Sequence, residues 1–378
     1  MNRLLYALLL ASLAGSAHAA PLGLPEVPVP ADNPQTADKI KLGDKLFHDT
    51  RFSTTGEVSC STCHAREKGF TDQLRVSEGI NKLTGTRNAP TVINAAYMQT
   101  QFWDGREPDL EGQSKQPPLN PVEMGLKDYD PILKIVRSDP EYIQQFKKVF
   151  GQSISNITID HIAKAIAAFE RTVIAGNSPF DRHQYGGETE ALNESQQRGL
   201  AVFLGKGRCV SCHRIEQTTA LFIDNRFHNI GIGFKRMQGK EAATAAELIR
   251  AKRQGADVDI TVLTQENMSE LGRFAVTENP TEIGAFKTPT LRNIEVTQPY
   301  MHDGSLKTLE DVVTFYNNGG REQEKDPLSP FMSGGIKPLD LTEGEQTDLV
   351  AFLKALTSPE YAPRVAATAT REKTHAKN

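Results

Sequence analysis

Long alternating runs of β-branched residues are missing from this 378-residue chain, which argues against an extensive sheet and for helices joined by turns. After the first residues no stretch is apolar enough to form a membrane helix, so the mature chain is expected to hold no integral membrane segment. Neither sign of charge is in excess: 43 basic and 47 acidic side chains leave a formal net charge of -4. That balance gives no general electrostatic reason to bind nucleic acid or an anionic membrane surface. Tryptophan occurs once and cysteine four times, and no histidine lies between His64 and His161.

What is present begins with an export signal. Asn2 and Arg3 form a short n-region, Leu4 to Leu13 an apolar run, and Ala17-His18-Ala19 a small-residue cleavage box. An apolar run of about ten residues is roughly half of what a membrane span needs. Residues 1–19 are therefore expected to be removed, and the mature chain to begin at Ala20 in the periplasm. The remaining length suffices for two domains, each with its own core.

Four cysteines in an exported protein ordinarily pair as two disulfides. Here they fall as Cys60-Ser61-Thr62-Cys63-His64 and Cys209-Val210-Ser211-Cys212-His213, a domain's length apart. Gly43-Asp44-Lys45-Leu46-Phe47 precedes the first motif and Gly199-Leu200-Ala201-Val202-Phe203 the second, which reads as a duplication delivering a helix into each CxxCH loop. Two thiols that add across the vinyl groups of a haem, followed at once by an imidazole for the iron, account for the spacing. A redox dithiol or half of a zinc site needs only CxxC, without the following histidine. The expectation is two covalently bound haem c groups, with His64 and His213 as axial ligands.

Apolar residues recurring at three and four predict helices over Ile159 to Arg171, Leu309 to Tyr316 and Glu343 to Leu356. The predicted fold is mainly α, with two cytochrome c-type domains, each with one covalent c-type haem, facing each other across a domain interface. Residues 20–175 form the N-terminal domain, 176–192 a linker that opens rich in Gly and Pro, 193–360 the C-terminal domain and 361–378 a polar tail. Lys235 to Glu270 is highly charged and reads as an insertion on the second domain's surface.

From Gly43 to about Leu356 the chain resembles the bacterial diheme cytochrome c peroxidases and their relative MauG, the diheme enzyme that matures methylamine dehydrogenase. The likeness rests on Arg87-Asn88-Ala89-Pro90-Thr91, Phe102-Trp103-Asp104-Gly105-Arg106, Val122-Glu123-Met124-Gly125, Thr288-Pro289-Thr290-Leu291-Arg292-Asn293 and Pro299-Tyr300-Met301-His302-Asp303-Gly304. It implies a peroxidatic N-terminal haem and a C-terminal haem that receives electrons from a small donor protein, a cytochrome c or a cupredoxin. Trp103 matches the residue between the two haems. Gln113 and Glu123 match the distal glutamine and the distal acid, the latter moving a proton between the two oxygens of hydrogen peroxide.

The chain also departs from the family pattern. Many family peroxidases block the peroxidatic iron with a histidine, and counting back from Trp103 puts Ile80 in that place. The site is therefore expected to be open without reductive activation, as in MauG, whose distal proline Pro117 matches. Tyr316 matches the sixth-ligand position of the second haem, methionine in the peroxidases and tyrosine in MauG, with Met301 as the rival ligand. A calcium ion held by Asn88 and the carbonyls of Thr297 and Pro299 is implied as well, as is a homodimer, for which no residue here speaks. His302 is read as a partner for a haem propionate. Three functions stay open: a cytochrome c peroxidase, a MauG-like oxidase acting on a protein residue or small molecule, and a diheme electron carrier.

Overall fold

The computed structural model describes residues 20–323 and 325–362. The export signal and all but the first two residues of the polar tail lie outside the described residues. Helices dominate, and the one ladder among the described residues is a two-residue antiparallel pairing of Phe227–His228 with Phe286–Lys287. No described helix is long and apolar enough to cross a membrane.

Two helix pairs, built alike, form the frame. Ala37–Phe47 starts where the Thr36 side chain accepts from Lys39 N, and it buries Leu42, Leu46 and Phe47. It packs on Ile159–Glu170, whose inward stripe includes Ile162 and Ile166. At the crossing a Cβ on Gly43 would lie 1.8 Å from Ala165 O, so only glycine admits this approach. The second pair, Glu194–Leu204 on Glu343–Lys354, repeats the device: a Cβ on Gly199 would lie 1.9 Å from Asp348 O. Phe47 meets Phe169 with ring centroids 5.1 Å apart, and Phe203 meets Phe352 at the same 5.1 Å. Each buried ring contributes roughly 1.5–3 kcal/mol of transfer free energy, and each first helix runs on toward a CxxCH segment.

Apolar side chains between Leu42 and Ala175 form one core, and those between Phe180 and Leu356 a second. The stretch expected to be a linker carries the helix Pro179–Gln184. Its Phe180 is fully buried in the second core, and its Asp181 makes a two-pronged ion pair with Arg292, both bonds 2.8 Å and both side chains without exposure. The linker is thus packed structure, because an apolar ring and a paired charge both gain from leaving water.

The charged insertion also differs from its sequence reading. Met237, Leu248, Val262, Leu263, Met268 and Phe274 build a third apolar cluster. From it the chain reaches the first half: Thr86 donates to Val262 O at 2.7 Å, and Arg87 to Ser269 O at 2.9 Å. Its charges look solvated in sequence, but Asp259 and Glu270 are spent on buried arginine and histidine partners.

Candidate active site

Each CxxCH motif opens onto a cavity. The smaller, about 130 Å³, is lined by Cys60, Cys63, His64, Gln113, Pro117 and Glu123 among others. The larger, about 520 Å³, is lined by Cys209, Cys212, His213, Met301 and Tyr316 among others, and its walls are mostly apolar. Trp103 lines both, and its Nε1 donates to Asn88 O at 2.9 Å.

The histidines are set up alike. His64 Nδ1 lies 3.2 Å from Phe70 O and His213 Nδ1 2.9 Å from Phe222 O. A carbonyl can only accept, so Nδ1 carries the proton and Nε2 is left as the ligating atom. Burial lowers the pKa of both rings, which favours the neutral form that binds metal. The four cysteines form no disulfide. Burial pushes Cys60, Cys63 and Cys209 up to about 12, so these are not the low-pKa thiolates of a redox dithiol. The donor set and the apolar walls fit haem. Lys287 fits its carboxylates: half-buried in the wall of the larger cavity, its ammonium is lowered to about 8 by desolvation and bonds only the Thr100 carbonyl, at 2.6 Å.

In the smaller cavity the carboxyl of Glu123 stands out. The residue as a whole is partly exposed, yet its Oε2 is out of solvent reach and has no hydrogen-bond partner. Burial, and after it the charge of Asp259, raises Glu123 to about 8, with Arg106 opposing. A buried polar atom left unpaired costs about 1–3 kcal/mol, so the orphan oxygen marks a place where a ligand group fits. Ile80 does not line this cavity. Its side chain packs in the first core against Gly125, while its N–H donates to Glu123 O at 2.9 Å. Ser77 and Gly79 form the wall there instead, and His64 is the only histidine among the lining residues.

Tyr316 and Met301 both reach the larger cavity, and burial raises the Tyr316 phenol. Asn88, Thr297 and Pro299 share its wall, and Asn88 Nδ2 donates to Leu74 O at 2.9 Å, which leaves Oδ1 for a cation. His302 also lines the larger cavity; its Nε2 lies 3.1 Å from Glu270 Oε2, and its ring stacks on Phe286 at 3.6 Å. Glu270 is an internal partner that the sequence did not reveal.

Glu170 was not singled out by the sequence. It lines the smaller cavity, is buried, rises to about 8 through desolvation, and its Oε2 has no partner. The signal was there: Ile162, Ile166 and Glu170 recur every four residues, which puts an acid on a helix's apolar stripe.

A mainly helical chain with two CxxCH cavities that share one tryptophan wall has the make-up of a di-haem cytochrome. Comparison narrows the class. A profile described as di-haem cytochrome c peroxidase matches residues 37–190. Cytochrome-c peroxidase IdrP1 of Denitromonas iodatirespirans is 39% identical over 350 residues, 92% of this chain and 89% of that one. Methylamine utilization protein MauG of Methylorubrum extorquens is 36% identical over 87% of this chain and 81% of its own. The crystal structure of a MauG-like protein associated with microbial copper homeostasis superposes with a TM-score of 0.75 at 33% identity, covering 92% of this chain and 97% of that one. The chain belongs to the di-haem cytochrome c peroxidase family.

Proposed function

We propose that this chain is an exported, periplasmic peroxidase that reduces hydrogen peroxide to water with electrons from a small redox protein, a cytochrome c or a cupredoxin. One observation carries the reading: the unpartnered, proton-holding carboxyl of Glu123 shares a small cavity with His64. Cys60, Cys63 and His64 would hold one haem c, and Cys209, Cys212 and His213 the other, in two domains divided near residues 176–192. Bound there, the haems would supply peroxide binding and electron storage.

The side chains handle protons and position. Near neutral pH, Glu123 exchanges a proton in either direction, since its pKa of about 8 is close to that range. When ionised it accepts one at a carboxyl oxygen from the nearer peroxide oxygen, and then returns it to the departing one. Gln113 orients the peroxide by its side-chain amide, and Pro117 and Leu263, which line the same cavity, keep bulk water out. Trp103, in the wall of both cavities, couples them. Tyr316, with Met301 its rival, would help hold the second haem, and Asn88 with the carbonyls of Thr297 and Pro299 would hold calcium.

A MauG-like oxidase is the second reading, and a specific observation favours it. No histidine besides His64 lines the smaller cavity, and a tyrosine is available to the larger. Electron paramagnetic resonance of the oxidised protein is expected to give one high-spin and one low-spin ferric signal. Two low-spin signals would overturn the open site and return a diheme electron carrier to contention. Steady-state turnover with reduced cytochrome c or cupredoxin then separates the enzymes: rapid donor-dependent peroxide consumption supports the peroxidase, and slow turnover with a long-lived oxidised state the MauG-like oxidase.

A further inference from the structure

The turn that presents Glu123 is held from an unexpected direction. Asn120 O accepts from Glu123 N at 3.1 Å and from Gly125 N at 2.8 Å, while Asn120 Oδ1 accepts from Val122 N at 3.1 Å. The amide end of Asn120 donates to Asp259 Oδ2 at 2.7 Å. Asp259 belongs to the helix Val258–Thr264 of the inserted segment, 139 residues further along the chain. Its other oxygen pairs with Arg106, through Nε at 2.8 Å and through Nη2. Arg106 in turn bonds Asp104 Oδ1 at 3.0 Å and lies over the Phe102 ring at 3.5 Å, in the loop that carries Trp103. Asp259 is buried, and so are Asn120 and Asp104.

We infer that Asp259 is a positioning residue for the peroxide-cleaving acid: one carboxylate of the insertion pins both the Glu123 turn and the Trp103 loop. The inference rests on the reading of Glu123 as that acid. It adds an electrostatic consequence. The charged and titratable groups around Glu123 are Asp259, Arg106, Cys60 and Cys63, the two cysteines consumed by haem attachment, with His64, Arg87 and Glu170 in the cavity wall. Asp259 favours the protonated acid and Arg106 the ionised one. Removing the Asp259 charge takes away the first influence and frees Arg106 to exert the second more strongly. Both changes make Glu123 more acidic.

The test uses the haem-loaded protein with D259N, D259A and E123Q. Two quantities are followed against pH: donor-dependent peroxide reduction, and the infrared carbonyl stretch of the protonated Glu123 carboxyl, assigned by its loss in E123Q. In D259N the midpoint of both is expected to fall by about one pH unit, with haem content unchanged. D259A also releases the turn, and its maximal rate is expected to drop at least about tenfold, misplacement by about 1 Å being enough. Wild-type midpoints in D259N would overturn the inference. An E123Q enzyme of full activity would instead defeat the reading of Glu123, and the carbonyl stretch would still report whether Asp259 governs its proton. Should D259N fail to load haem, Asn120→Ala cuts the link from the other side: a lowered rate with an unmoved midpoint is expected, and a wild-type rate would sink the clamp.

Discussion

Replacing Glu123 by glutamine should stabilise the folded protein at alkaline pH while abolishing its chemistry. The carboxyl moves from an ordinary 4.5 to about 8 in the fold. Below pH 4.5 it is protonated in both states, and its favourable contribution is fully present. Above that the unfolded chain releases the proton and the folded one keeps it, so stability falls by about 1.4 kcal/mol per pH unit. The loss reaches about 3 kcal/mol at pH 7 and up to roughly 5 kcal/mol once pH passes about 8. An amide does not titrate, so E123Q escapes that slope. Denaturant unfolding of the haem-loaded protein from about pH 5 to about pH 9 should show the wild type declining relative to E123Q. Glu170, also raised to about 8, should behave likewise in E170Q. Peroxide reduction in E123Q should fall by about 10²–10⁴. Parallel stability curves for wild type and E123Q would refute the reasoning, since the acid would then titrate as it does in water.

Four further outcomes are expected. Gly199→Ala, whose Cβ would lie 1.9 Å from Asp348 O, should force its helix pair apart at a cost of about 1–3 kcal/mol, read as a lowered Tm. Asp181→Ala strands the buried Arg292 guanidinium and should cost about 3–5 kcal/mol in equilibrium unfolding. Trp103→Phe removes the indole from the wall of both cavities, and stopped-flow absorbance should show slower electron passage between the haems with haem content intact. Tyr316→Met should raise the reduction potential of the second haem in spectropotentiometry, because a thioether favours ferrous iron.

The helical frame was legible because its signal is periodic. Leu42, Leu46 and Phe47 in one helix, and Ile162 and Ile166 in another, announce which faces turn inward. The CxxCH motifs were legible because haem attachment would dictate their spacing. Glu170 was visible but overlooked, an acid on an apolar stripe. Asp259 could not be found this way. Its meaning lies in Arg106 and Asn120, each more than a hundred residues distant, and a single sequence does not pair residues across such gaps. Glu270 beside His302, 32 residues apart, escaped as well, and so did Phe180 in a stretch whose composition reads as a linker. Charged and polar runs look solvated until the partners that bury them are known.

Duplication goes deeper than the two CxxCH motifs, and it explains why one half alone places a tryptophan between the cavities. Residues 90–107 and 289–306 share Pro-Thr, an asparagine four residues after the proline, and a later Asp-Gly. Their backbones agree. Asn94 and Asn293 are both left-handed, with φ 63° and 60°, and so are Phe102 and Met301, with φ 64° and 75°. Gln101 N donates to Glu107 O at 2.7 Å, as Tyr300 N does to Leu306 O at 2.7 Å. In this register Trp103 corresponds to His302. The two flank Asn88 from opposite sides, the indole donating to its carbonyl and the His302 carbonyl accepting from its N–H at 2.8 Å. A shared loop geometry thus delivers two different side chains to one junction. The indole enters the wall between the cavities, and the imidazole is held by Glu270 and Phe286. Repeated backbone supplies the frame, and single side-chain differences within it set the two halves to different work.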